Sequence, residues 1–290
     1  MDIFLQNIIA GLETGGLYAL AALGLVLIFR TSDVINFAQG EIAMFSTFVA
    51  YRIFENAYPY WAAVTGAILF AVVFGYGIER LFLRPAMKAS IISKIIITMG
   101  ILMVIQGLAV VIFGTEDYYL RKAIESENFT ISGLILQPNS LFIVIITLVI
   151  VYVFNYMVNK TRFGIAIRTT AENENTARLM GIPVSKVYSR SWMIATALGA
   201  IAGILVAPKT QVSVTMMADI HLKSFIAAVV GGFSSFLGPV VGGFIIGVAD
   251  NLVGFYLSLD WKTVIVYSIL ILMLIVKPAG LFGTTIRKKV

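Results

Sequence analysis

Near the start of the chain Glu13 interrupts the first apolar run, and Asn36, Gln39 and Glu41 follow the polar break Arg30 to Asp33 and precede a second apolar run. Amide and carboxylate groups in apolar surroundings are costly, and they mark either a pathway or a packed polar contact. Little else is on offer chemically. The 290 residues contain no cysteine and one histidine, His221. Thiolate chemistry, disulfides and a histidine-based metal cluster are therefore excluded. No GxxxxGK[ST] phosphate loop occurs, so any use of ATP needs another polypeptide. No catalytic set and no metal site is expected.

A second polar group lies in the middle of the chain, between Arg162 and Arg190, and carries Arg168, Glu172, Asn173, Glu174, Asn175, Arg178 and Lys186. Thr169-Thr170-Ala171-Glu172 reads as a capping box with Thr169 as the cap. Gly181 followed by Pro183 is a stop signal. The helix between them has about eleven residues and is ~16 Å long by its rise. It is too short and too polar to span a bilayer. On spacing alone it either joins two spans or docks a cytoplasmic partner.

The elements that must position these residues are apolar. Hydrophobic residues make up 59% of the chain and charged residues 12%, against about 25% charged in soluble domains. The expected fold is all-α, a polytopic helical membrane protein with about seven full spans plus two short, broken or re-entrant segments. The full spans are expected at 3–29, 60–78, 95–113, 140–158, 191–207, 238–257 and 262–276, and the short ones at 42–54 and 224–236. The opening MDIFLQNIIAGLETGG has no basic start, which makes it a poor signal peptide and a fair first span. The two short segments each follow a polar break and precede a longer span, a pairing that points to an internal repeat and a midplane pathway.

The net charge of +6 is topology information rather than a nucleic-acid signal. Arg80 to Lys94, Lys160 to Arg190 and the tail with Lys277, Arg287, Lys288 and Lys289 are basic. Gly114 to Gln137 is mildly acidic. The positive-inside rule puts the basic loops and the C-terminus in the cytoplasm and the acidic loop and the N-terminus outside.

The remaining residues have plainer expectations. Gly231-Gly232, Gly242-Gly243 and Gly247 read as close helix packing or as exposed backbone lining a pore. Asp250 is expected near the outer face, as a water-exposed cap or a contact for a binding protein. Glu13 is expected to pair with a basic group on another subunit or to sit protonated. His221 is placed in an outer loop and solvated. Trp61, Trp192 and Trp261 are expected as interfacial anchors.

Over nearly its whole length the chain resembles the first permease subunit of ABC importers for branched-chain amino acids. The resemblance is carried, in order, by Gly16 to Gly24, Val34-Ile35-Asn36-Phe37-Ala38-Gln39-Gly40-Glu41, Ile78-Glu79-Arg80 with Arg84-Pro85, Gly164 through Ile182, Gly231-Gly232 through Gly247, and Pro278 with Gly280-Leu281-Phe282-Gly283. Where this chain has Gln39 the family usually has histidine, which removes the obvious titrating group. The resemblance implies a single transmembrane permease domain over 1–290, with a cytoplasmic coupling loop at 159–190. In that loop Arg168, Ala171, Glu172, Asn175, Ala177, Arg178 and Gly181 would couple to the ATPase. Glu13, Asn36, Gln39, Glu41, Gly231, Gly232 and Gly243 are the candidates for pathway or gating. It further implies a related second permease subunit (a homodimer being the alternative), two ATP-binding subunits that hold ATP and Mg, and an extracytoplasmic solute-binding protein. The implied location is the bacterial inner membrane, multi-pass. An importer of urea, short amides or another amino acid is the near alternative, and an ion-coupled secondary transporter the remoter one.

Overall fold

Long unbroken apolar runs bounded by charge leave the backbone one solution in lipid, the helix that satisfies its own hydrogen bonds. A computed structural model describes residues 2–131 and 134–283. Eleven helices occur among them: α1 (Asp2–Ser32), α2 (Gln39–Glu55), α3 (Tyr60–Ile78), α4 (Ile91–Phe113), α5 (Pro138–Lys160), α6 (Arg162–Glu172), α7 (Glu174–Leu179), α8 (Val184–Thr210), α9 (Ala218–Gly231), α10 (Gly238–Tyr256) and α11 (Leu259–Val276). A π turn, Glu79–Leu83, extends α3. Six helices, α1, α3, α4, α5, α8 and α10, are long and apolar enough to cross a membrane. The 18-residue α11 takes the seventh expected position, and α2 and α9 take the two short ones. The fold is thus the expected all-α polytopic bundle. One small addition is an antiparallel hairpin, β1 (Phe129–Ile131) with β2 (Leu134–Leu136), inside the acidic loop.

α1 is the axis of the bundle. It is buried over most of its length, whereas α4 and α5 are mostly exposed and apolar, as lipid-facing helices are. Small residues let α10 approach it closely: a Cβ on Gly243 would meet the Ala19 backbone nitrogen at 2.7 Å. Gly243 and Gly247 both face α1 in this way, which favours the packing reading of that glycine pair. α8 packs on the other side of α1 and carries Trp192, which is fully buried. Trp192 therefore sits in the core and is no interfacial anchor, while Trp61 and Trp261 are exposed. Its ring is buried because α8 begins at Val184, seven residues before the expected Ser191, and Trp192 falls in the packed interior.

The bundle has two distinct ends. At the hairpin end, Gln6 donates to Ile135 O at 3.2 Å and Tyr118 exchanges backbone hydrogen bonds with Val212. At the basic end, Arg84 reaches across to Ser189 in α8, and the segment after α11 folds back so that Leu281 N donates to Val230 O at 2.8 Å. Arg287, Lys288 and Lys289 of the expected basic tail lie outside the described residues.

Candidate functional site

Two polar groups stand out, one inside the bundle and one beyond its basic end. The inner group begins where α1 stops. Residues 33–38 run without helix, and α2 then starts at Gln39. Asn36 Nδ2 donates to Gln39 Oε1 at 3.1 Å, Asn36 Oδ1 accepts from Ala38 N at 3.1 Å, and Gln39 Nε2 donates to Ala195 O of α8 at 2.7 Å. Both side chains are buried. They close the break between two helices and tie it to a third. Glu41, in the first turn of α2, stands apart from them and is half-buried.

Farther toward the hairpin end lies a buried ion cluster. Asp250 of α10, 1% exposed, accepts from Tyr18 of α1 at 3.1 Å and pairs with Lys223 of α9 and Lys262 of α11, both at 2.9 Å. The Lys223 contact is an ion pair lying outside hydrogen-bond alignment. Lys223 also pairs with Asp219 at 2.7 Å. A lone carboxylate at this depth is expensive, and two ammonium groups plus a phenol are what hold it there. Asp250 is therefore not a water-exposed cap. Glu13 pairs within the chain, with Lys209 at 2.9 Å, so it needs no partner from another subunit. His221 is in α9 and buried, with Nδ1 lacking any hydrogen-bond partner. It belongs to no outer loop, because α9 starts at Ala218, six residues before the expected Ser224.

Beyond the basic end the chain makes a polar elbow. α6 buries Gly164, Ile167 and Thr170, a one-sided pattern. Its cap is Thr161, whose Oγ1 accepts from Gly164 N at 3.1 Å. The expected cap, Thr169, lies inside the last turn of α6 instead. The elbow bends at extended Asn173, whose Oδ1 accepts from Thr176 N at 2.9 Å and starts α7. The buried Ile167–Thr170 face keeps α6 helical through Thr169, and the free cap position passes to Asn173, a strong capping residue. The expected single helix is thus two. Gly181 ends α7 with φ +79°, as its stop signal required.

Ala177 is fully buried against Val184 and Tyr188, so it seats α7 on α8. Arg168, Glu172, Asn175, Arg178 and Gly181 are exposed, and Ala171 is half-buried. Arg178 pairs with Glu174. Burial pushes the Glu174 carboxyl upward, but hydrogen bonds from Arg178 and Tyr188 outweigh it and hold the group below the usual carboxylate range. Arg168 and Glu172 have no ion pair among the described residues. A cleft of about 720 Å³ separates α7 from the turn before α4, lined by Arg84, Lys88, Glu174, Arg178 and Tyr188 among others. That turn is rigid: Arg84 donates to both oxygens of buried Glu79, at 3.1 and 3.0 Å, and Ser189 of α8 donates to Glu79 at 2.8 Å.

Sequence reasoning passed over Leu179 and Met180, which are 89% and 70% exposed at the tip of α7. The signal was there: two large apolar residues stand directly before Gly181 in the most polar stretch of the chain. Gly231 and Gly232 lie at the basic end of α9. Gly232 has φ +103°, and Phe282 N donates to Gly231 O at 3.0 Å.

A bundle of lipid-length helices around buried ion pairs, with an elbow projecting from one end, defines a multi-pass integral membrane protein. A family model described as branched-chain amino acid transport system / permease component matches residues 7–274, and the chain belongs to that family. It is 32% identical to the high-affinity branched-chain amino acid transport system permease protein LivH of Salmonella typhimurium, over 97% of this chain and 96% of the relative. It is 27% identical to the permease protein BraD of Pseudomonas aeruginosa, with the same coverage. It is 32% identical to a probable LivH permease of Methanocaldococcus jannaschii, over 94% and 90%.

Proposed function

We propose that this chain is the membrane-embedded half of an ATP-driven importer that carries branched-chain or related hydrophobic amino acids into the cell. It encloses the pathway with a second permease subunit, takes solute from an extracytoplasmic binding protein, and hydrolyses no ATP itself. The basic end faces the cytoplasm, where two ATP-binding subunits hold ATP and Mg and seat the α6–α7 elbow. The observation that carries this reading is α7. It is capped at Asn173, seated through Ala177, and presents Leu179 and Met180 to the outside. Two large apolar residues exposed on a polar elbow mark a protein contact. The elbow is fixed to α5 and α8, so a push on it moves both as rigid bodies.

Arg168 and Glu172 supply charges for the partner, and the basic cleft beside α7 takes an acidic edge of it. Leu179→Glu and Arg168→Glu change only exposed groups. Each is expected to reduce substrate-stimulated ATP hydrolysis of the reconstituted complex at least tenfold while leaving membrane insertion unchanged. Stimulation within twofold of the unaltered complex in both variants would remove the elbow from the coupling role.

A further inference from the structure

The two helices too short to cross begin at the same place and run opposite ways. α2 starts at Gln39, which is bonded to Ala195, eleven residues into α8 and so ~16 Å from its start. It ends at the hairpin end, where Tyr51 stacks on Tyr118 with ring centroids 4.6 Å apart. α9 starts at Ala218 and ends at the basic end, tied there through Val230 to Leu281. Near their starts the two are in contact. A Cβ on Gly40 would lie 3.0 Å from His221 Cβ and 3.6 Å from its Nδ1. Phe37 and Phe225 stack beside this contact, 6.5 Å between centroids.

Each helix start carries roughly half a positive charge. The two starts meet at the Gly40–His221 contact, the α2 start buried and the α9 start open at Ala218 and Asp219. Half-helix starts that point at the bilayer midplane suit the anionic group of a solute. A second observation is independent of the dipoles. His221 is 9% exposed, and its Nδ1 has no hydrogen-bond partner. An orphaned buried polar atom costs ~1–3 kcal/mol and calls for an explanation. A neutral imidazole can carry its proton on Nδ1 and donate it.

We propose that the meeting point of α2 and α9 is a carboxylate site for a small apolar zwitterion in transit. His221 Nδ1 and the first turns of the two helices hold the carboxylate, half-buried Glu41 takes the ammonium, and Phe37 and Phe225 flank the apolar side chain. This rests on the transport reading above and adds which part of the solute is read within the membrane. The contact between Gly40 and His221 makes the present structure the closed form. The carboxylate enters when α2 and α9 part, so its binding favours the parted form over the closed one.

His221 is the sole histidine of the chain, so ¹⁵N-histidine labelling of this subunit alone, assembled with unlabelled partners, gives one imidazole to follow. The complex in nanodiscs, nucleotide-free and vanadate-trapped, is titrated with leucine and with leucinamide, which lacks the carboxylate. The Nδ1 resonance is expected to move by several ppm with leucine in at least one state and to stay put with leucinamide. His221→Phe is expected to lower leucine uptake into proteoliposomes at least tenfold, and His221→Gln, which keeps a donor, to recover part of it. An Nδ1 resonance unmoved by leucine in both states, in a complex that still takes up leucine, overturns the site and leaves the transport reading intact. Equal shifts with leucine and leucinamide also overturn it. Absence of leucine uptake by the unaltered complex counts against the transport reading, while the resonance still decides whether a carboxylate binds. Should His221→Phe fail to assemble, the titration of the unaltered complex decides alone.

Discussion

Asp250 shows most plainly how one residue organises this molecule. Its carboxylate draws together α1, α9, α10 and α11 through Tyr18, Lys223 and Lys262. Removing one member of a buried pair costs up to about 3–5 kcal/mol when the other is left unpaired; here Lys223 keeps exposed Asp219 and Lys262 is partly exposed, so the lower end of that range applies. Asp250→Asn keeps the shape and removes the charge. It is expected to lower stability by that order, read as a fall in the thermal unfolding midpoint in detergent. Asp250→Asn with Lys223→Met is expected to recover much of the loss, since no uncompensated charge then stays buried; Lys262 is 28% exposed and can turn outward. A double variant as unstable as the single one would mean that the cluster acts through shape rather than charge. None of this pairing was legible in the sequence. Asp250 ends an apolar run and looks like a wet cap, and its partner Tyr18 is 232 residues away. Glu13 likewise showed its cost but not Lys209, its remedy.

At the scale of elements, the elbow depends on where the chain bends. The short α7 has little stability of its own, since a helix nucleus is costly and six residues repay it poorly. The Asn173 cap and the burial of Ala177 make up the difference. Asn173→Ala is expected to cost about 1 kcal/mol locally and to speed amide exchange across residues 174–180 roughly fivefold, with α8 unchanged. No change in exchange there would mean that Ala177 alone holds α7. The end of this element was legible, because a glycine followed two residues later by proline admits few conformations. Its start was not. Thr169 and Asn173 are both good caps, and which one is used depends on the face of α6 buried against its neighbours. The short α9 was misplaced for a related reason. Asp219, His221 and Lys223 in its first turns look like loop residues to any hydropathy reading, yet Lys223 and His221 are buried. The long spans were each found, because an apolar run of that length admits no such competing account, but their ends were not: α8 begins seven residues before the expected start.

At the scale of the whole molecule, charge sorts to one end. Arg80, Arg84, Lys88, Lys160, Arg162, Arg168, Arg178, Lys186 and Arg190 gather at the basic end. The opposite loop carries Glu116, Asp117, Glu125 and Glu127 against Arg121 and Lys122. Cytoplasmic loops retain Lys and Arg during insertion, and the proposed orientation rests on that rule: it puts the elbow inside the cell, on the side where ATP is. The chain has no cysteine, so single introduced thiols report each end without background. Thr176 on the elbow and Glu127 in the hairpin loop are both exposed. Thr176→Cys is expected to react with a membrane-impermeant maleimide in inside-out vesicles and not in spheroplasts, and Glu127→Cys the reverse. The two sites test each other, because a leaky preparation would label both everywhere. The opposite pattern would put α7 outside. No ATP-hydrolysing partner could then reach it, and the exposed Leu179 and Met180 would have to meet a partner on the outer face.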